Sequence, residues 1–328
     1  MKAVFPDKPK VKLENYLPLL DEKIRLAGIN KIPLEKAGGT SLEKIAEKSN
    51  MHPETVRKYL NVKKACPLFF LKKIAELDLS GTLWNKIFES DFYCTARKEK
   101  VILPKYLDPA LAYFVGYLQG DGFLCSDGKR TCFDDEYKPQ IELVCSLTEK
   151  IFGTKAKIEE KRSKKSTKQS YRVPVRRKVI NSFINKVFGI NLGKKSNLRI
   201  PKIMKKNRKI LKWYLRGLFD ADGTLPKSPH KCAQFFVDVS FKDKGFIEEI
   251  KENLQEFGIE TLKPYGRKSH SPSTGKKTLT WELRIRKHST IKRFLEEIGF
   301  IHPNKSKRQE ELLKILRTRS LEDKAAAS

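Results

Sequence analysis

Along the chain the spacing of apolar and polar positions changes several times, and each change marks an element. Leu42 to Lys48 carries an amphipathic helical pattern, with Asn50 placed to supply a left-handed turn. Pro53 to Leu60 reads as a second short helix, because a proline in the first turn sacrifices an N–H that has no partner anyway. Ile45, Ala46, Met51, Val56 and Tyr59 fall where a helix-turn-helix needs inner contacts, and Thr55, Arg57 and Lys58 face outward, as a recognition helix requires. Residues 1–104 therefore read as a small all-α, helix-turn-helix-like DNA-binding domain. VILPKYLDP (101–109) reads as a linker, since both prolines bias their predecessors away from helix and Pro109 can open the next one.

Beyond the linker the pattern repeats. FVGYLQGDG (114–122) matches LRGLFDADG (215–223) at an offset of 101. IFGT (151–154) pairs with EFGI (256–259). YRVPVRRK (171–178) then pairs with WELRIRKH (281–288), and FGINLGKKS (188–196) with IGFIHPNKS (298–306), both at an offset of 110. Four ordered matches whose offset only grows are the mark of a duplicated unit with loop insertions. Each unit reads helix, strand pair, helix, strand pair, helix. Tyr171, Val173 and Val175 alternate with Arg172, Pro174 and Arg176, and Trp281, Leu283 and Ile285 with Glu282, Arg284 and Arg286. Period two gives each copy a sheet with one apolar face, covered by helices near 179–187 and 289–297, and one open, basic face. The fold class expected is α+β: two pseudo-twofold-related αββαββα half-domains over 105–200 and 201–318, preceded by the all-α domain and followed by a tail at 319–328 that ends in an appended-looking AAAS.

Composition sharpens this picture. Among 328 residues, 69 Lys and Arg against 39 Asp and Glu leave a formal charge of +30, which calls for a polyanionic partner. No apolar run approaches the roughly 20 residues of a membrane span, and the start lacks the basic-then-apolar pattern of a signal peptide. Six cysteines without a CxxC pair or a metal-ligand spacing suit free thiols in a reducing cytoplasm, at the nucleoid in a prokaryote. The high Lys, Arg and Glu content points toward a thermophile.

The doubled nine-residue motif carries the chemistry. Gly116 with Gly120, and Gly217 with Ala221, place small residues four apart, a strip along which a second helix can approach to backbone distance. Each motif ends in Asp-Gly, where Gly122 and Gly223 can adopt the left-handed conformation that stops a helix. An acid at a helix C-terminus is electrostatically disfavoured, and pairing the helices brings Asp121 and Asp222 together. A divalent cation between them resolves the conflict, and carboxylates with the Gly120 and Ala221 carbonyls are hard ligands suited to Mg²⁺.

These two motifs resemble the LAGLIDADG motifs of the homing endonuclease family in its single-chain, two-motif form, over about residues 105–318. The resemblance implies that the motif helices form the interface between half-domains, that Asp121 and Asp222 bind catalytic Mg²⁺ (Mn²⁺ or Ca²⁺ could occupy the same sites) with Gly120 and Ala221 adding carbonyl oxygens, and that saddle-shaped sheets lie in a DNA major groove. It further implies a monomer that cuts both strands of a long, pseudo-palindromic or asymmetric duplex site by metal-assisted phosphodiester hydrolysis, leaving short 3′ overhangs. Gln119 departs from the family pattern where Asp220 keeps it. Lys195 and Lys305 occupy equivalent places in the two copies and are candidates for stabilising the transition state.

For DNA contact the candidates are Lys161, Arg162 and Lys268 near two basic loops (163–168 and 267–277), and Arg172, Arg176, Arg284 and Arg286 on the strands, since Arg meets guanine bidentately. Residues 155–178 hold eleven Lys or Arg against two Glu, and affinity should fall steeply with salt. Two other activities suit the same fold: RNA-splicing maturase, and a non-cleaving DNA-binding regulator. Retention of both terminal acids argues against the regulator. A splicing intein is not expected, because the chain opens MKA and lacks a terminal His-Asn, so a free-standing or intron-encoded enzyme is the expectation.

Overall fold

A computed structural model describes residues 5–29, 41–61, 64–78, 81–96, 99–162, 169–270 and 277–325. Within the first hundred residues come β1 (Val11–Lys12), β2 (Arg25–Ala27), α1 (Leu42–Ser49), α2 (Pro53–Leu60), β3 (Cys66–Pro67), α3 (Leu68–Ala75), α4 (Leu83–Glu89), β4 (Tyr93–Ala96) and β5 (Glu99–Val101). β6 (Tyr106–Leu107) then leads into the first repeat: α5 (Pro109–Asp121), β7 (Gly122–Leu124), β8 (Thr131–Asp135), α6 (Lys138–Phe152), β9 (Glu159–Arg162), β10 (Gln169–Val175) and α7 (Lys178–Phe188). A short α8 (Lys202–Lys205) precedes the second: α9 (Arg208–Asp222), β11 (Gly223–Thr224), β12 (Val237–Phe241), α10 (Lys244–Gln255), β13 (Tyr265–His270), β14 (Lys277–Ile285) and α11 (His288–Glu297). α12 (Pro303–Ala325) closes the described chain, so the expected separate tail begins inside a helix.

Both repeats build the same antiparallel sheet, in the orders β7-β8-β10-β9 and β11-β12-β14-β13. Each motif glycine sets the register: Gly122 lies opposite Phe133, and Gly223 opposite Val239. Apolar residues of the central strands are buried (Phe133, Val173, Val175; Val239, Leu283, Ile285), and α6 and α10 pack on that face together with the motif helices.

The first hundred residues are not all-α. β3, β2, β4 and β5 form a four-stranded sheet, and β1 pairs with β6, so the expected linker is itself strand-paired. Strands of two to four residues are too short to display period-two alternation, which is why the sequence pattern conceals them. The helical pair stands as expected. Ser41 caps α1, Asn50 turns left-handed at φ 51°, and Ile45, Ala46, Val56 and Tyr59 are buried. This N-terminal region shares its core with both repeats: Tyr16 stacks edge-on against Phe183 at 4.9 Å, and Phe5 reaches Tyr113 of α5 and Trp213 of α9 at 5.3 and 5.1 Å.

Candidate active site

α5 is buried along its whole length from Pro109 to Gly120, since it packs against α9 on one side and its own half-domain on the others. The contact is made at the small residues. A Cβ on Gly116 would fall 2.0 Å from the Tyr214 carbonyl oxygen, and one on Gly217 would fall 2.2 Å from that of Tyr113. One on Gly120 would meet the Ala221 Cβ at 2.2 Å and the Asp222 carboxylate at 2.8 Å. Backbone thus touches backbone along the crossing, and both helix ends arrive at one place.

Tyrosines lock the pair from both sides. The Tyr113 hydroxyl donates to Asp220 at 2.7 Å, and the Tyr214 hydroxyl to the Gln119 side-chain oxygen at 2.5 Å. The difference between Gln119 and Asp220 follows from what each faces. The Gln119 amide donates to the Arg199 carbonyl at 3.0 Å, whereas Asp220 accepts the backbone N–H groups of Ile301 and His302 at 3.2 and 3.0 Å. Each residue type matches the backbone group presented to it.

The motif glycines correct one expectation. Gly122 and Gly223 end their helices in extended conformation, at φ −100° and −74°, not left-handed. Glycine is required there for space. A Cβ would lie 2.4 Å from Leu118 Cδ1 at Gly122, and 2.5 Å from the Phe219 carbonyl at Gly223. Each chain therefore leaves its helix directly into the first strand of a sheet.

Asp121 and Asp222 stand at these ends in a largely desolvated setting. Burial first, then the Asp222 and Asp135 charges, push the Asp121 carboxyl up to about 7, against the opposing pull of Lys305 and Lys195. Burial likewise raises Asp222. Lys195 Nζ donates to the Gly120 carbonyl, and Lys305 Nζ to those of Asp220 and Ala221 at 2.6 and 2.9 Å; burial lowers both ammonium groups. Two hollows open beside the helix ends. One, of about 550 Å³, is lined by Asp121, Ala221 and Lys305; the other, of about 600 Å³, by Asp222, Gly120 and Lys195. Each joins a carboxylate of one half to a carbonyl and a lysine of the other.

Asp121 supplies a pH test. The folded chain holds its proton more tightly than an ordinary aspartate near 3.8, so its contribution to stability is lost as pH rises from about 4 to about 7. Without divalent cations, Asp121→Asn should melt above the wild type at pH 8, with the two converging toward pH 4. Thermal melts in EDTA at stepped pH check this, and a constant offset at every pH would contradict it.

The donor set suits a hard divalent cation. Two raised carboxylates and helix-end carbonyls are short of positive charge, and the two lysine ammonium groups stand in for it on those carbonyls. Among the described residues no three His, Cys, Asp or Glu side chains are grouped to hold a metal unaided. A cation there would complete its shell with water and phosphate oxygens, as Mg²⁺ commonly does.

Residues 209–299 match the family model for a LAGLIDADG-like domain, from the second motif helix to the glycine that follows α11. The second repeat is thus similar to a LAGLIDADG-like domain. The match begins within α9, one of the two helices whose small-residue strips make the central crossing. Homing endonuclease I-ApeI of Aeropyrum pernix is 35% identical over 100 residues, which are 30% of this chain and 40% of that protein. Replication factor C small subunit of Methanocaldococcus jannaschii is 28% identical over 224 residues, 66% of this chain but 11% of that protein. The chain thus spans from about a tenth to two fifths of the curated relatives it matches. Among solved structures, I-DmoI in complex with DNA and Mn is 17% identical over 58% of this chain and 96% of that one, with a TM-score of 0.39. Full-length DUF199/WhiA from Thermotoga maritima is 15% identical over 64% and 60%, at 0.43.

The strand residues expected to read DNA are placed unevenly. Arg172 forks onto Asp134 at 2.6 and 2.5 Å and lies over the Phe123 ring, and Lys161 also reaches Asp134, at 3.2 Å. Arg284 is held by Asp238 at 2.9 Å and Glu282 at 2.5 Å. Arg176 pairs with Glu159, and Arg286 donates to Gln234. The open faces are therefore mixed in charge rather than purely basic: cross-strand carboxylates answer Arg172, Arg176 and Arg284, a pairing invisible before the register is known. Lys268 is exposed on β13; the Arg162 side chain, 163–168 and 271–276 lie outside the described residues. In α2, Thr55 is half-buried, and Arg57 and Lys58 project outward beside Glu54, at 3.3 and 3.5 Å. The residues that sequence reasoning passed over are Asp135 and His302, which line the first hollow. Their signal lay in the repeat itself: the match that pairs 188–196 with 298–306 sets Leu192 opposite His302.

Proposed function

We infer that this protein is a site-specific, double-strand DNA endonuclease dependent on Mg²⁺ or a similar cation. The observation that carries the reading is the crossing of α5 and α9, which brings two desolvated carboxylates to one point and pairs each with a lysine of the opposite half. A pure DNA binder would gain nothing from burying two acids where a polyanion docks.

When bound, a divalent cation activates water and offsets charge on phosphate. Asp121 and Asp222 hold the negative charge that retains it, with Gly120 and Ala221 carbonyls beside them. Lys195 and Lys305 stand within reach of the same point, able to donate to phosphate oxygens as charge builds. The two hollows allow one scissile phosphate each, which would give staggered cuts and 3′ overhangs.

Supercoiled plasmids carrying a randomised insert test the activity. Linear product at a defined site with Mg²⁺, and none in EDTA, is expected. Stable binding without cleavage under any divalent cation would leave a regulator, and accelerated intron removal from an RNA precursor would point to a maturase.

Affinity should follow counterion release. With six or more phosphates neutralised, raising salt from 50 to 200 mM should weaken binding on the order of a thousandfold. Binding isotherms across salt measure this, and a flat response would remove the electrostatic footprint. The N-terminal helical pair extends that footprint. Because Tyr16 and Phe5 belong to the shared core, side-chain replacement tests it better than truncation. Arg57→Ala with Lys58→Ala should lower affinity about tenfold and leave cleavage at saturating protein unchanged. Unaltered affinity would exclude DNA contact by α2.

A further inference from the structure

The two halves repeat each other in topology and in their central acids, yet the hollows beside those acids are furnished differently. Opposite the motif glycines, the register equates Asp134, Asp135 and Glu136 with Ser240, Phe241 and Lys242. The closing repeat equates His302 with Leu192. The Asp121 hollow thus holds an Asp from the first half and a His from the second, whose counterparts in the repeat are Phe241 and Leu192.

In the structure Asp135 and His302 meet, although they come from different halves. The His302 Nε2 atom lies 3.4 Å from the Asp135 carboxylate, which also accepts the Tyr117 hydroxyl at 2.5 Å and the Tyr137 N–H at 2.7 Å. His302 is itself fixed by its backbone N–H on Asp220 and by the Tyr137 ring at 5.5 Å. Its side chain is only 7% exposed, and its Nδ1 is buried with no hydrogen-bond partner among the described residues. Both residues line the Asp121 hollow, and the Asp135 charge is felt at Asp121. In the Asp222 hollow the Phe241 side chain offers no polar atom and packs on Phe246 at 4.9 Å, while the neighbouring Asp243 carboxylate is engaged by the Leu198 and Phe246 backbone N–H groups at 2.9 and 3.1 Å.

Resting on the nuclease reading, we propose that the halves are catalytically unequal: Asp135, steadied by His302 and Tyr117, orients the attacking water at the Asp121 side, so that the strand lying there is cut first. The step is a hydrolysis. The water oxygen bonds to phosphorus, one bond from phosphorus to a deoxyribose oxygen breaks, and that leaving oxygen gains the proton the water gives up. Asp135 acts on the water, and His302 is a positioning residue that acts through Asp135.

The test uses a duplex recovered from the randomised library by wild-type cleavage, end-labelled on one strand or the other. For the wild type, a nick in one strand should precede the second cut. Asp135→Asn and His302→Leu should slow that strand about tenfold or more, leave the other within about twofold, and reverse the order of nicking. His302→Gln, which can still donate to Asp135, should recover most of the lost rate. DNA affinity in EDTA should be the same for all variants, which separates orientation from misfolding. Equal slowing of both strands, or no change in either, would overturn the inequality while leaving the nuclease reading intact. Failure of the wild-type chain to cut either strand would overturn both.

Discussion

Asp121→Asn and Asp222→Asn should each reduce double-strand cleavage by a factor on the order of 10² to 10³, with DNA affinity nearly unchanged. The replacement keeps the side chain's shape and removes its charge. Both carboxyls already sit against their preference for water, raised by burial, and at Asp121 by the neighbouring acids as well. The charges that oppose this burial are those of the two lysines on the adjacent carbonyls. Removing one acid lowers the negative charge around the two lysines and takes away a ligand the proposed cation would use, while no residue of the sheets is touched. Losing electrostatic stabilisation at a desolvated site commonly costs a reaction this much. Rates measured with saturating protein, beside affinities measured without divalent cation, separate the two effects. Parallel loss of affinity and rate would mean that the acids serve the fold.

Gly116→Ala and Gly217→Ala should be the most damaging glycine-to-alanine changes among the described residues. At either position the new Cβ would lie about 2 Å from a backbone carbonyl oxygen of the partner helix, and backbone cannot swing aside as a side chain can. The helices must separate, which also opens the Tyr113–Asp220 and Tyr214–Gln119 hydrogen bonds. A loss of about 3 kcal/mol, or a fall of about 5 °C or more in melting temperature, is the expected scale. Gly245→Ala is the control. It lies in α10, where a Cβ would meet the end of the flexible Arg199 side chain at 3.0 Å, and alanine is the better helix former. Little or no loss of stability is expected there. If Gly116→Ala melted like the control, the close crossing would be wrong.

The central helix crossing was legible because duplication states it twice. An isolated Asp-Gly is an ordinary turn, but Asp121 and Asp222 recur after equivalent small-residue strips, and the crossing of α5 with α9 follows from sterics. The helical pair at 42–60 was legible from its inner apolar positions and from Asn50. The N-terminal sheet was hidden, since Arg25–Ala27 and Cys66–Pro67 are too short to carry a period. Asp-Gly at a helix end suggests a left-handed stop at Gly122 and Gly223, whereas the constraint is room beside Leu118 and Phe219. Arg172 and Arg284 looked free to meet bases because their partners, Asp134 and Asp238, become neighbours only once strands are paired. Asp135 and His302 lie far apart in sequence and belong to different copies, so their meeting depends on how the halves dock.

Anomalous diffraction from Mn²⁺ in a complex of the chain with its selected duplex tests the central claim most directly. Peaks are expected within coordination distance of the Asp121 and Asp222 carboxylates, against the Gly120 and Ala221 carbonyls, with Lys195 and Lys305 moved off those oxygens. Manganese found only elsewhere, or both lysines still seated on the carbonyls with no metal beside the acids, would contradict the account.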